Sequence, residues 1–227
     1  MRELTVSGFL VGIAGGKYVL GPRFIEFDRQ IRKSDPVIRF AVPEMEKIAD
    51  IVNGNQLLCT FYGHCVMTVY QAHKDAEILK YTSMERGRPF SLFRGAPSKV
   101  ILANLSNYQL KNVYLRHQNV IRDEDLGESW REFLANIQAI RKQGYWIGSE
   151  LDSELVGAAA PIFCDPGTVV GAICLVRLRS KASEKDIKML AELAVGTAEV
   201  ISTKLHDWSS RPDTDVCVPK TLSELMT

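Results

Sequence analysis

The chain has 227 residues, 46% hydrophobic and 24% charged, with a formal net charge of +1. That is long and apolar enough for a sizeable core, and it excludes the global basic bias of many nucleic-acid binders while leaving a local basic surface open. Five scattered cysteines (Cys59, Cys65, Cys164, Cys174 and Cys217) behind no secretory signal argue for a reducing cytoplasm, and no apolar run approaches the roughly 18–20 residues that span a bilayer.

Residues 1–20 are punctuated by Gly8, Gly12, Gly15 and Gly16, with Lys17–Leu20 as one short strand. From Pro22 an apolar pattern (Phe24, Ile25, Phe27, Ile31) predicts a helix that Asp35-Pro36 breaks. Asp35 is placed to cap the next helix, which runs from Val37 to Asn53-Gly54 and is kinked or truly started by Pro43. Residues 56–62 and 65–73 read as a β-hairpin around Gly63-His64, and 78–83 as a third extended stretch. Arg86-Gly87-Arg88-Pro89 reads as a loop, Ala96–Leu105 as a helix, and Ser106 or Asn107 as the cap of a short helix. A stripe of Trp130, Phe133, Leu134, Ile137 and Ile140 marks the clearest helix, about 126–143, ended by Gly144. Strands follow at 145–150, 156–163 and 169–178, the last two joined by the Asp165-Pro166-Gly167-Thr168 turn. Ser183 caps a long final helix, with Glu184 and Asp186 complementing its dipole.

Grouped strands separated by helices predict an α+β fold with an antiparallel sheet. The residues offer little chemistry for a catalyst. Cys59, His64 and Cys65 lie around one hairpin, with His73 and His117 elsewhere, and lack the paired spacing of structural zinc ligands. Cys174 sits in an apolar strand with no base in view, the setting of an unactivated thiol. Gly12, Gly15 and Gly16 do not form a phosphate-binding fingerprint. No metal, no cofactor and no enzymatic activity are expected.

Three segments, taken in order, resemble the isocitrate-lyase-regulator (IclR) family of bacterial transcription regulators. Gly15–Phe27 (GGKYVLGPRFIEF) resembles the end of a winged helix-turn-helix wing and the start of a linker helix. Arg86–Ser106 resembles the loop and helix lining the family's effector pocket, and Ile140–Val176 its Gly-Tyr, Glu, Ala-x-Pro-Ile and final core strand. The resemblance implies a wing remnant at 1–20, a linker helix at 21–35, a GAF-like effector-binding domain at 36–207 and a loose tail at 208–227. Its sheet would have about five to six strands flanked by helices. It implies a sensor that forms a homodimer or homotetramer, with DNA contacted only through an N-terminal helix-turn-helix that these residues do not include. The chain is therefore expected to be part of a longer regulator. Two rivals are a naturally DNA-free regulator acting by hetero-oligomerisation and a small-molecule enzyme on a GAF-like scaffold.

The family's ligand cup maps residue by residue. Its closing loop is Phe93, Arg94, Gly95, Ala96 and Pro97, and its facing strand positions are Gly148, Leu155, Gly157, Cys174 and Val176. Small residues leave a cavity, and N–H groups at a helix start attract a carboxylate, so a small carboxylate is the implied effector. Several family members carry polar side chains where Gly148, Gly157 and Val176 stand here, so this cup should be less polar. Arg94 is either a pocket cation or an exposed arginine. Glu150 either accepts a ligand hydroxyl or faces water.

Overall fold

The computed structural model describes residues 1–63, 65–73, 75–81, 85–148 and 153–210. A short helix α1 (Arg2–Val6) precedes a hairpin of β1 (Leu10–Ile13) and β2 (Lys17–Leu20), paired Leu10 to Leu20. The turn needs left-handed backbone, which Gly15 (φ 80) and Gly16 (φ 71) supply. Helix α2 (Arg23–Ser34) follows Pro22, and Phe9 packs its ring against Phe24 at 5.6 Å and Phe27 at 5.7 Å. Ile25 and Ile31 remain exposed. Asp28 accepts from Arg32 at 2.7 Å and pairs with Arg86, which also donates Nε–H to the Val69 carbonyl at 2.6 Å. The Arg86 guanidinium holds the Asp28 carboxyl below its ordinary range, with Arg32 adding to the effect.

Asp35 accepts from the N–H groups of Val37 (2.8 Å) and Ile38 (3.2 Å), and so starts α3 (Pro36–Val52) as its sequence position predicts. Burial nonetheless pushes the Asp35 carboxyl up. The helix runs through exposed Pro43, which is therefore not its start, and stops at Asn53 in left-handed geometry (φ 44).

Among the described residues six strands form one sheet in the order β5-β4-β3-β8-β7-β6, each adjacent pair antiparallel. They are β3 (Asn55–Phe61), β4 (Cys65–His73), β5 (Pro89–Ser91), β6 (Trp146–Gly148), β7 (Leu155–Asp165) and β8 (Thr168–Leu178). Helix α3 and the final helix α7 (Glu184–Ser209) cover one face, on Leu58, Ala160, Ile173 and Leu175. Helices α4 (Ala96–Ala103), α5 (Asn107–Asp123) and α6 (Trp130–Gln143) cover the other, on Leu57, Cys59, Ala159 and Cys174. This is the α+β architecture expected from the grouped strands.

Polar ties fix the layers. Buried Glu44 on α3 binds Lys47 of its own helix at 2.8 Å and Lys204 of α7. Arg141 on α6 donates to the carbonyls of Ala103 (2.6 Å) and Leu105 (2.8 Å), serving the end of α4.

Three expectations are corrected. Residues 76–80 form a short 3₁₀ turn, because the Asp75 carboxylate accepts from the Glu77 N–H at 2.9 Å and starts a helical segment there. The strand at that edge is instead β5, which starts at Pro89, the last residue of the stretch read as a loop; Pro89 is tolerated because β5 lies at the sheet edge. Helix α5 is 17 residues long, not short, capped by a reciprocal Ser106–Gln109 box and bent where His117 departs to φ −131. In addition, α6 begins at Trp130, capped by Ser129, after Gly127 takes φ 135. The tail expected from 208 begins inside α7, and residues 211–227 lie outside the described residues.

Candidate effector site

Side chains alternate along strands, so one row across a sheet shows one face. Gly148 pairs with Gly157, Gly157 with Val176, and Val176 with Asn55, giving a continuous row across β6, β7, β8 and β3. The parallel row is Trp146, Ala159, Cys174 and Leu57. Both rows face α4, and Leu155 joins them on that side. Gly148, Leu155, Gly157, Cys174 and Val176 therefore share one face of neighbouring strands. A Cβ at Gly157 would meet the Cys174 Sγ at 3.2 Å and the Val176 Cγ2 at 3.4 Å, so even a methyl there crowds the row.

The closing loop meets the same face. Phe93 is buried in one cluster with Leu155, Cys174 and Val176, and its ring lies 5.2 Å from that of His117. The loop is held by the Phe93 N–H donating to Ser91 Oγ (3.2 Å) and by Ser98 Oγ–H donating to the Ser91 carbonyl (2.6 Å). Gly95 takes φ 93 and ψ 151 to begin α4, which therefore starts without a side-chain cap. Ala96 and Pro97 are buried behind it, whereas Arg94 is exposed. Glu150 lies outside the described residues.

Three polar residues on this side escaped the sequence reading. Ser98 is fully buried on α4, whose other residues apart from Lys99 are apolar. Lys99 is 8% exposed, with its Nζ 5.0 Å from the Trp146 ring centre. Asn55 is 2% exposed at the end of the glycine row, and among the described residues its Oδ1 has no hydrogen-bond partner. A polar residue inside an apolar stretch was the available signal for Ser98 and Lys99. For Asn55 there was none, because strand register is not written in a single sequence.

A separate hollow of about 550 Å³ lies beside α6, lined by Lys99, Asp123, Glu124, Asp125, Asn136 and Trp146 among others. Three carboxylates against one ammonium make it a poor seat for an anion.

The model of the family described as bacterial transcriptional regulator IclR C-terminal matches residues 30–203. The chain belongs to the IclR family. It corresponds to the C-terminal, effector-binding domain of these transcriptional regulators. It is 26% identical over 210 residues to the HTH-type transcriptional regulator KipR of Bacillus subtilis (strain 168), covering 90% of this chain and 82% of that protein. The fold is similar to the crystal structure of the Thermotoga maritima IclR (TM-score 0.74, 21% identity, 91% of this chain and 83% of that one). It is also similar to an IclR regulator from Alicyclobacillus acidocaldarius (TM-score 0.72, 18% identity, 90% and 82%). Family membership fits the IclR resemblance read from the sequence, and relatives that regulate transcription point to a non-enzyme. Among the described residues no helix is long and apolar enough to cross a membrane.

Proposed function

We propose that this domain senses a small carboxylate in the cup between the Phe93–Pro97 loop and the row Gly148, Gly157 and Val176, and passes its occupancy to attached DNA readers in the cytoplasm. The observation that carries the reading is the convergence on one sheet face of a row with glycine at two of its positions and an uncapped helix start, a place suited to a carboxylate. Residues 1–20 serve as the remnant of a wing, 21–35 as the linker helix and 36–207 as the sensor. The effector favours one quaternary arrangement over another and so shifts its population.

Thermal melting with a panel of carboxylates tests the cup. A ligand at about a hundred times its dissociation constant adds roughly 2.7 kcal/mol, a rise on the order of 5–10 °C for a domain of this size. Gly157→Ala should reduce the rise, since its methyl crowds Cys174 and Val176, and Gly157→Phe should abolish it. Arg94→Ala should reduce it only where the arginine reaches the carboxylate. A rise indifferent to both Gly157 variants would place the ligand elsewhere.

The assembly is a homodimer or homotetramer. Ile25 and Ile31 are 73% and 51% exposed on α2, apolar area that a second copy would cover. Equilibrium sedimentation at tens of micromolar is expected to show a dimer or larger, and a strict monomer would refute the assembly.

A further inference from the structure

The Asn55 side-chain oxygen is fully buried and has no partner among the described residues, although a buried acceptor left unmade is costly and native folds pair nearly all of them. Its place in the sheet says what it awaits. Asn55 pairs with Val176, which pairs with Gly157, which pairs with Gly148. Two of the four positions in that row have no side chain beyond hydrogen. Adjacent strands stand about 4.8 Å apart, so Asn55 is about 10 Å across the sheet from Gly157. A molecule seated over the glycines and anchored at the start of α4 spans that gap with a few carbon atoms.

We infer that Asn55 is a specificity-determining residue of the cup, accepting a hydrogen bond from a donor on the effector. The effector is then a hydroxy- or amino-substituted carboxylate and not a plain or keto acid. An amide oxygen only accepts, so a ligand hydroxyl or N–H satisfies it, whereas a keto group sets acceptor against acceptor. This inference rests on the cup proposed above, which supplies the anchor for the carboxylate.

Gln56 provides the control. Its Oε1 is equally buried and equally without a partner among the described residues, but the residue alternates to the opposite face, beneath α3 and α7. The probes are matched acids of three to eight carbons in plain, hydroxy, amino and keto forms, beginning with propionate, lactate, alanine and pyruvate. Dissociation constants come from calorimetry and melting shifts. At least one hydroxy or amino acid should bind about tenfold tighter than its plain and keto partners. Asn55→Leu, close in volume, and the smaller Asn55→Ala should both erase that preference, while Gln56→Leu keeps it. Without ligand, Asn55→Leu should melt no lower than the parent protein, because it removes an unpaired acceptor. Binding of plain acids with no donor preference, or a preference that survives both Asn55 variants, overturns the inference and leaves the cup standing. A panel in which no acid binds overturns the cup itself and the inference with it. Unfolding of both Asn55 variants would make the residue structural and also count against it.

Discussion

Gly171→Ala is expected to cost on the order of 4 kcal/mol or to abolish folding. A Cβ at Gly171 would sit 2.3 Å from the Cys59 carbonyl oxygen and 3.4 Å from its carbon. Those atoms belong to the backbone of β3, the strand hydrogen-bonded to β8 through the Cys59–Ala172 and Thr60–Gly171 pairs. No rotamer relieves a clash with backbone. The strands must separate at the centre of the sheet, where two cores meet. Gly196 on α7 is the counter-case, with nothing within 4 Å of its Cβ. Gly196→Ala should gain up to about 1 kcal/mol from helix propensity. Urea unfolding of both variants measures the difference. A loss below about 1 kcal/mol for Gly171→Ala would mean that the two strands do not approach as described.

Cys59 should be nearly inert to thiol reagents until the protein unfolds. It is fully buried on β3, and burial pushes its thiol up to about 12 from an ordinary 9.0. At pH 8 that lowers the thiolate fraction by about a thousandfold, before any steric exclusion. Mass spectrometry after iodoacetamide treatment should find Cys65, only partly buried, modified well before Cys59. The folded state keeps the Cys59 proton where the unfolded chain releases it. The stability this contributes is whole below about pH 9 and falls as the pH rises toward 12, by about 1.4 kcal/mol per unit. Prompt labelling of native Cys59 at pH 8 would contradict its burial.

How far these features were legible in the sequence depended on the range of the interaction behind them. Caps and punctuators were plain: Asp35, Ser183 and Gly144 each stop or start the helix that their chemistry predicts, because the bonds are made within a few residues. Errors fell where a local pattern met a distant partner. The segment around Ile78 is rich in strand formers, yet Asp75 turns it into a 3₁₀ coil that places Ile78 in the core. Three-residue β5 exists only because β4 offers it an edge. In the site, the glycines were visible as residue types, and their role came from the family resemblance. Their alignment into one row, and the place of Asn55 at its end, required the register of four strands.

The attachment of α2 has a mechanical consequence. The Asp28–Arg86 pair and the Asp35 cap stand two helical turns apart along the chain, and so lie along one side of the helix about 10 Å from each other. A rod pinned at two points on one line keeps a single rotation, about that line. Tilting α2 away from the sensor must break the ion pair or the cap, whereas rolling it breaks neither. Beyond the first pin, Phe24 and Phe27 carry Phe9 and the hairpin attached to it. A roll of the helix therefore sweeps that hairpin through an arc, as a crank turns its handle.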